Sequence, residues 1–437
     1  MRNHAARVGS WLDERADEMA LLLERLVAVG SENPPGRALG RCARILSEAM
    51  DRLGLSPEII GITDPSGLLE DPCVVRGTAG DGDPLLYFHG HFDVVPAQSR
   101  DQFTPVRRDG RIVGRGTADM KGGIVAMLYG AAAARELGLL GTGRIVVHLV
   151  CDEETGSVLG AGHLRDAGLI DPAALAMVTA EPSGGAVWNA ARGALSLRVE
   201  VRGREAHVGQ ADRGVNAFAH MLHVARPVER HAAEMAGRHT ALPMSAGDAR
   251  GSMLVVGGLS GSGSSFNVVP GSAFFTVDGR YNPEEDLQAE LKHLTRIVED
   301  AAREIGAEVS VHVTQLQPPA ATPRDHPAAV ALGRVIGVVG VGGVGGVGGV
   351  GGVVGVVGVV GVVGVVGVVG DPHGAPARFE MCPGILETRW YAQLGIPAFG
   401  HGPGLLEVSH GPGEYVDEAA VRRCAAVYAL YAGDMLP

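Results

Sequence analysis

The stretch Arg144-Ile-Val-Val-His-Leu-Val150, followed at once by Cys151-Asp152-Glu153-Glu154-Thr155-Gly156-Ser157, decides how the rest of the chain is read. The apolar run reads as a buried strand, so three acids stand where that strand leaves its sheet. Adjacent carboxylates repel, and each is costly to desolvate without a cation nearby. Such a cluster is either a metal or acid–base site or a solvated turn, and the triplet alone does not decide. Neighbours on a strand point to opposite faces. Glu153 and Glu154 can therefore serve one site only if the chain turns, and Thr155-Gly156 offers the turn.

Working outward, Pro84–His89 and Ala174–Thr179 read as further strands, and Lys121–Leu137 as an Ala-rich helix. Apolar positions at helical spacing predict helices over 10–30 and 37–53. This alternation predicts an α/β layer with a mostly parallel central sheet. Near Arg192 the texture changes. Leu195-Ser-Leu-Arg-Val-Glu-Val-Arg202 alternates apolar and polar residues, as a half-exposed antiparallel strand does, and Ser252–Leu259 and Ala273–Gly279 behave alike. With helices at about 213–236 and 284–305 they form a smaller α+β module, residues 191–312, inserted between residues 1–190 and 313–437 of the first domain.

Residues 335–370 are a Gly-Val tract of period three. Its length without charges would suit a membrane span, but Gly at every third position makes a poor helix and no aromatic or basic anchors flank it. It is expected to be a low-complexity insertion in a surface loop. A length of 437 residues suits two domains, and 46% hydrophobic with 20% charged residues suits a soluble globular protein. The net charge of −12 argues against nucleic acid or an anionic membrane as partner. Five scattered cysteines without CxxC spacing, and an N-terminus lacking a signal-peptide pattern, make the cytoplasm the expected compartment.

Four further places carry chemistry. His91 and Asp93 follow the strand in Tyr87-Phe-His-Gly-His-Phe-Asp-Val-Val-Pro96, where the carboxylate can hold the second ring nitrogen of a metal-ligating histidine. Asp119 lies in the glycine-rich turn of GRGTADMKGG, where a helix N-cap is the plain alternative. Glu181 precedes Pro182 at another strand end, and His410 stands in the loop SHGPGEYV. Each signal is weak alone. Together they put a histidine and several acids at the C-terminal ends of successive strands, the edge where open α/β sheets bind ligands.

GHFDVVP, GRGTADMKGG, DEETGS, AEP and SHGPGEYV, in this order, resemble the acetylornithine deacetylase and succinyl-diaminopimelate desuccinylase family of dinuclear zinc hydrolases, which includes aminoacylases and carboxypeptidase G-type enzymes. The resemblance spans nearly the whole chain except the Gly-Val tract. It implies that His91 and Glu181 bind one divalent ion, that Glu154 and His410 bind the other, and that Asp119 bridges them. It makes Glu153 the general base and Asp93 the carboxylate behind His91. It makes residues 1–190 and 313–437 the catalytic domain and 191–312 the lid, through which a homodimer would form. It gives His207 a role in stabilising the tetrahedral intermediate of a neighbouring site. Asn267 and Arg280 match positions that bind the substrate carboxylate, and Arg389 matches a further arginine of the family pattern. Ile385-Leu386-Glu387 replaces the usual small-residue turn before Arg389. The expected ions are Zn(2+), with Co(2+) or Mn(2+) as alternatives that N/O ligands also accept.

The activity implied is hydrolysis of the amide bond of a small N-acyl amino acid, by a water that two metals activate and Glu153 deprotonates. Within the same chemistry a dipeptidase or carboxypeptidase is the rival, although ETRWYAQLGIPAFGHGPG looks closer to deacylase-type relatives. A non-catalytic binding protein on this fold would show a missing ligand or a replaced base, and neither is seen.

Overall fold

The computed structural model describes the chain apart from Ala246, Asp248, residues 342–376 and Pro437. It separates into two compact units. The first holds Met1–Val187, Pro323–Phe379 and Gln393–Pro437, and the second holds Trp188–Thr322 with Glu380–Ala392.

The first unit is built on strands β1 (Glu58–Gly61), β2 (Cys73–Ala79), β3 (Leu85–His91), β4 (Arg144–Val150), β5 (Ala176–Thr179) and β6 (Ala398–Gly400), in the order β1-β2-β4-β3-β5-β6. Pairs β3–β4, β3–β5 and β5–β6 are parallel, while β1–β2 and β2–β4 are antiparallel. The central sheet is thus mostly parallel, as the alternation predicts. Every residue of β3 is buried, which is why its sequence shows no polar alternation.

Helices α1 (Arg2–Asp13), α2 (Ala16–Val27) and α3 (Leu39–Arg52) supply one wall of the core. The helix expected over 10–30 is therefore broken. At Arg15 the backbone leaves helical geometry, and both apolar stripes, with Trp11 and Leu12 before the break and Leu22, Leu23 and Leu26 after it, are buried. Helix α4 (Gly122–Glu136) is buried almost all round and made largely of small residues, as a helix inside a core must be. Gly130 permits its closest approach to the C-terminal helix Glu418–Met435, since a Cβ there would sit 2.8 Å from the Ala425 carbonyl oxygen. Buried Lys121, just before α4, donates from Nζ to the Leu26 carbonyl at 2.9 Å. Its ammonium so caps the C-terminal end of α2, where free carbonyls favour a cation.

The Gly-Val tract does not begin as a surface loop. Its first seven residues complete the helix Pro327–Val341, with Val335 and Val339 in the core. Burial of those valines outweighs the poor helix propensity of the intervening glycines. The loop expected over the rest of the tract, to residue 370, lies outside the described residues. No helix among the described residues is long and apolar enough to cross a membrane.

The second unit is an antiparallel sheet of four strands, in the order Met253–Ser262, Ser272–Tyr281, Gly193–Arg202, Glu308–Gln317. Its inward residues, among them Leu195, Leu197, Val199, Phe275 and Val277, form one core with helices Ala217–Met235 and Leu287–Glu304. Asn216 and Asp286 cap these helices by accepting two backbone N–H groups each.

Gly123 docks the start of α4 on the end of β5, for a Cβ there would lie 2.4 Å from the Ala180 carbonyl oxygen and 2.6 Å from its Cβ. Neither atom can yield without moving backbone. Gly123→Ala is expected to cost about 1–3 kcal/mol of stability through overpacking, measured as a lower denaturation midpoint at unchanged slope.

Candidate metal centre

Strand register assembles the site. In the parallel pair of β3 and β4, His91 lies opposite Val150, so the residues that follow both strands leave the sheet level with one another. On the other side His89 lies opposite Thr179, which brings Glu181 level with His91. The acid triplet, the His-x-Asp pair and Glu181 therefore meet at one sheet edge.

Asp93 is fully buried. Its carboxylate lies 3.3 Å from His91 Nδ1 and accepts the backbone N–H groups of Glu153 and Glu154, each at 3.2 Å. Asn33 Nδ2 donates to the same carboxylate at 3.1 Å and to Thr155 Oγ1 at 3.0 Å. Asp93 thus caps the short 3-10 turn Glu153–Thr155, which Gly156 closes with a left-handed φ of 109°. The turn removes the strand alternation, so Glu153 and Glu154 are released from opposite faces.

With its Nδ1 held, His91 turns Nε2 to Asp119 Oδ1 at 3.1 Å and to Glu181 Oε1 at 4.0 Å. The other oxygen of Asp119 lies 3.4 Å from His410 Nε2, and that same nitrogen is 3.3 Å from Glu154 Oε1. Donor atoms of His91, Asp119 and Glu181 lie within 4.8 Å of one another, as do those of Asp119, Glu154 and His410. Asp119 belongs to both groups. It is not the N-cap of α4, a place held by Lys121; it sits in an irregular turn after Gly116, ahead of a cis peptide to Met120.

Three residues that the sequence reading left unassigned support this arrangement. Besides Asn33, buried Glu414 accepts the N–H groups of Ala118 and Asp119 through Oε1, at 2.9 and 3.1 Å. Buried Arg115 binds the other oxygen of Glu414 at 2.7 Å and the carbonyl of His410 at 3.0 Å. Both residues stand inside quoted motifs, GRGTADMKGG and SHGPGEYV, but nothing local in either motif marks them as partners.

The site is rich in negative charge. Burial opposes a proton on His91, yet Asp119, Asp93 and Glu181 hold its pKa well above the ordinary value. Hydrogen bonds to Asp119 and Glu154 push His410 up to about 10. Burial works to raise the Asp119 carboxyl, but His410 and His91 hold it below the usual range. Two imidazoles and three carboxylates converging on shared points, with one ring nitrogen fixed from behind, match the oxygen and nitrogen donor set of a divalent metal pair. The residues present fit such ions.

The remaining candidates lie in the second unit. His207 pairs with Val268 in a short bridge, and Val208 donates to the Asn267 carbonyl at 2.9 Å, so His207 and Asn267 are neighbours. His207 Nδ1 accepts from Gly209 N at 3.1 Å, and the residue is exposed. Arg280 Nη1 is held by Asp278 at 2.9 Å. Arg389 is buried, donating to the Leu386 carbonyl at 2.7 Å.

Comparison with known proteins adds a family. The model of peptidase family M20/M25/M40 matches residues 87–360. The chain belongs to that family. Its M20 relatives include a probable succinyl-diaminopimelate desuccinylase of Staphylococcus epidermidis, 25% identical over 342 residues, which are 72% of this chain and 79% of the relative. A succinyl-diaminopimelate desuccinylase of Stenotrophomonas maltophilia is 32% identical over 238 residues, 50% of this chain and 59% of that protein. The alignment with a probable succinyl-diaminopimelate desuccinylase of Staphylococcus aureus strain Mu50, 29% identical over 210 residues, spans 47% of this chain and 50% of that protein. Among solved structures the M20 fold is shared with human carnosine dipeptidase 1, at TM-score 0.69 and 18% identity, covering 99% of this chain and 98% of that one. It is shared too with a dinuclear metal-binding M20 peptidase of Bacillus subtilis, at TM-score 0.65 and 15% identity, covering 97% and 99%.

If His91 and His410 bind a metal through Nε2, that nitrogen must be bare, so loading would displace protons. The sign follows from the raised values. Protons are held by His410 until pH climbs through about 10, so metal affinity is expected to rise with pH across the neutral range. Calorimetry of zinc binding at pH 7 in buffers of different ionisation enthalpy should report release of up to about two protons per chain. A buffer-independent enthalpy would contradict the protonated histidines.

Proposed function

We propose that this M20 hydrolase cleaves the amide bond of a small N-acyl amino acid, and that Glu153 is its general base. The observation that carries the reading is Asp93, which in one buried carboxylate orients His91 and presents the turn of Glu153 and Glu154 at the same edge. His91 and Glu181 would hold one divalent ion, Glu154 and His410 the second, with Asp119 between them. Such ions, zinc by the donor set and cobalt or manganese by the same ligands, polarise a carbonyl and lower the pKa of water to about 7.

Glu153 would take the proton of the attacking water and return it to the departing amine. His207, whose Nδ1 accepts from Gly209 N, would donate from its other ring nitrogen to the developing oxyanion. Asn267 would help to bind the substrate carboxylate. Arg280 has the planar fork for that carboxylate, and substrate would take the place of Asp278. Arg389 is assigned to the substrate region by its motif alone. The desuccinylase relatives favour an acidic acyl group.

Glu153→Ala is expected to leave metal content unchanged while turnover falls by roughly two to four orders of magnitude. Full activity in that variant would remove Glu153 from the mechanism. A panel of N-succinyl, N-acetyl and N-formyl amino acids beside dipeptides separates deacylase from dipeptidase, with the N-succinyl compounds expected to turn over fastest.

Pairing through the second unit is part of the same proposal. The edge strand Met253–Ser262 exposes Val255 and Leu259, at 57% and 69% of their surface, and neighbouring Phe266 is wholly exposed. An apolar edge of this kind, beyond which no strand pairs among the described residues, suits another chain. Sedimentation should find a dimer that Val255→Lys with Leu259→Lys converts to a monomer. A monomeric wild-type chain at micromolar concentration would sink the proposal.

A further inference from the structure

His410 has φ of 62°, a left-handed backbone uncommon in residues other than glycine. Glycine would suit that geometry, but glycine carries no ligand atom. The loop around it is clasped by a segment some 300 residues earlier. Gln102 Nε2 donates to the Gly411 carbonyl at 3.0 Å, Gly114 N donates to the Glu414 carbonyl at 2.9 Å, and Arg115 Nη2 donates to the carbonyl of His410 itself at 3.0 Å. The other arm of Arg115 reaches Glu414 Oε2 at 2.7 Å, and Glu414 Oε1 takes the N–H of Asp119 at 3.1 Å. A single guanidinium therefore ties the backbone of one proposed ligand to the backbone of another. Arg115 and Glu414 are each about 1% exposed, so neither is a solvated surface charge.

We propose that Arg115 is a positioning residue for the second metal site, the one made by Asp119, Glu154 and His410. It fixes the left-handed carbonyl of His410 so that Nε2 faces Asp119 and Glu154, and through Glu414 it sets the turn that carries Asp119. The planar fork is what the task requires, because two acceptors on different loops are met at once. Lysine offers the charge but not the fork. This inference rests on the reading of His410 as a metal ligand, and it predicts an asymmetry. Loss of Arg115 should loosen the ion at Glu154 and His410, which would draw on both His410 and Asp119, more than the ion at His91 and Glu181, which would share only Asp119.

The test is zinc binding by equilibrium dialysis with elemental analysis on the full chain, for wild type, Arg115→Lys, the pair Arg115→Met with Glu414→Gln, and His410→Ala. Arg115→Lys keeps a cation opposite Glu414. The pair removes both buried charges while leaving a side-chain amide oxygen to accept from Ala118 and Asp119. Both variants are expected to bind one zinc about 10- to 100-fold more weakly, the usual effect of altering groups behind a ligand, and the other with a clearly smaller loss. A purely structural Arg115 would lower the melting temperature and leave both affinities unchanged, and that outcome overturns the proposal. Equal weakening of both zincs overturns it as well. His410→Ala tests the underlying reading separately: if it still binds two zincs with wild-type affinity, the ligand assignment fails; if it loses one while the Arg115 variants keep both, only the positioning role fails.

Discussion

The buried carboxylate of Asp93 is the constraint on which the centre depends. A carboxylate removed from water must have its acceptor capacity met, and here His91, Glu153, Glu154 and Asn33 meet it. Satisfying that one group selects the ring orientation of His91 and forces the chain after β4 into a 3-10 turn. It also ties Asn33, in the loop after α2, to the same edge. The register of β3 against β4 makes the meeting possible, since a one-residue slip would invert every side chain.

The site is also a concentration of like charge inside a hydrophobic unit. Asp93, Asp119, Glu181 and Glu414 are all buried, and Arg115 and Lys121 are buried nearby, with burial pulling the Lys121 pKa down. The raised proton affinity of His91 and His410 answers the same excess of negative charge. Divalent ions would take over that task, so metal loading and the stability of the first unit are linked through these groups. Charge balance here is a property of the whole edge rather than of any one pair.

Much of this was legible in the chain. The strand Arg144–Val150 has the bounds read from its apolar run, and α4 differs from its expected span by one residue at each end. The need for a turn after Glu153 followed from strand alternation alone. What escaped was long-range. Arg115 and Glu414 are 299 residues apart, and a charged residue in a glycine-rich motif looks solvated until its partner is known. The start of the Gly-Val tract escaped because propensity is local whereas burial of Val335 and Val339 is tertiary. The break at Arg15 was hidden by apolar spacing that runs through it.

That separation along the chain has a consequence for biosynthesis. During synthesis the chain grows from its N-terminus, and domains tend to fold as they emerge. His91, Asp119, Glu154 and Glu181 are then made long before His410 and Glu414, with the whole stretch Trp188–Thr322 of the second unit translated in between. Until Glu414 arrives, Arg115 lacks its anionic partner and the turn carrying Asp119 lacks its acceptor. The nascent first part thus holds every proposed donor of the ion at His91 and Glu181, but only the two carboxylates of the other. Completion of the proposed metal pair would thereby wait until His410 is made, and a ribosome-bound fragment ending before it would carry an acidic, unfinished edge.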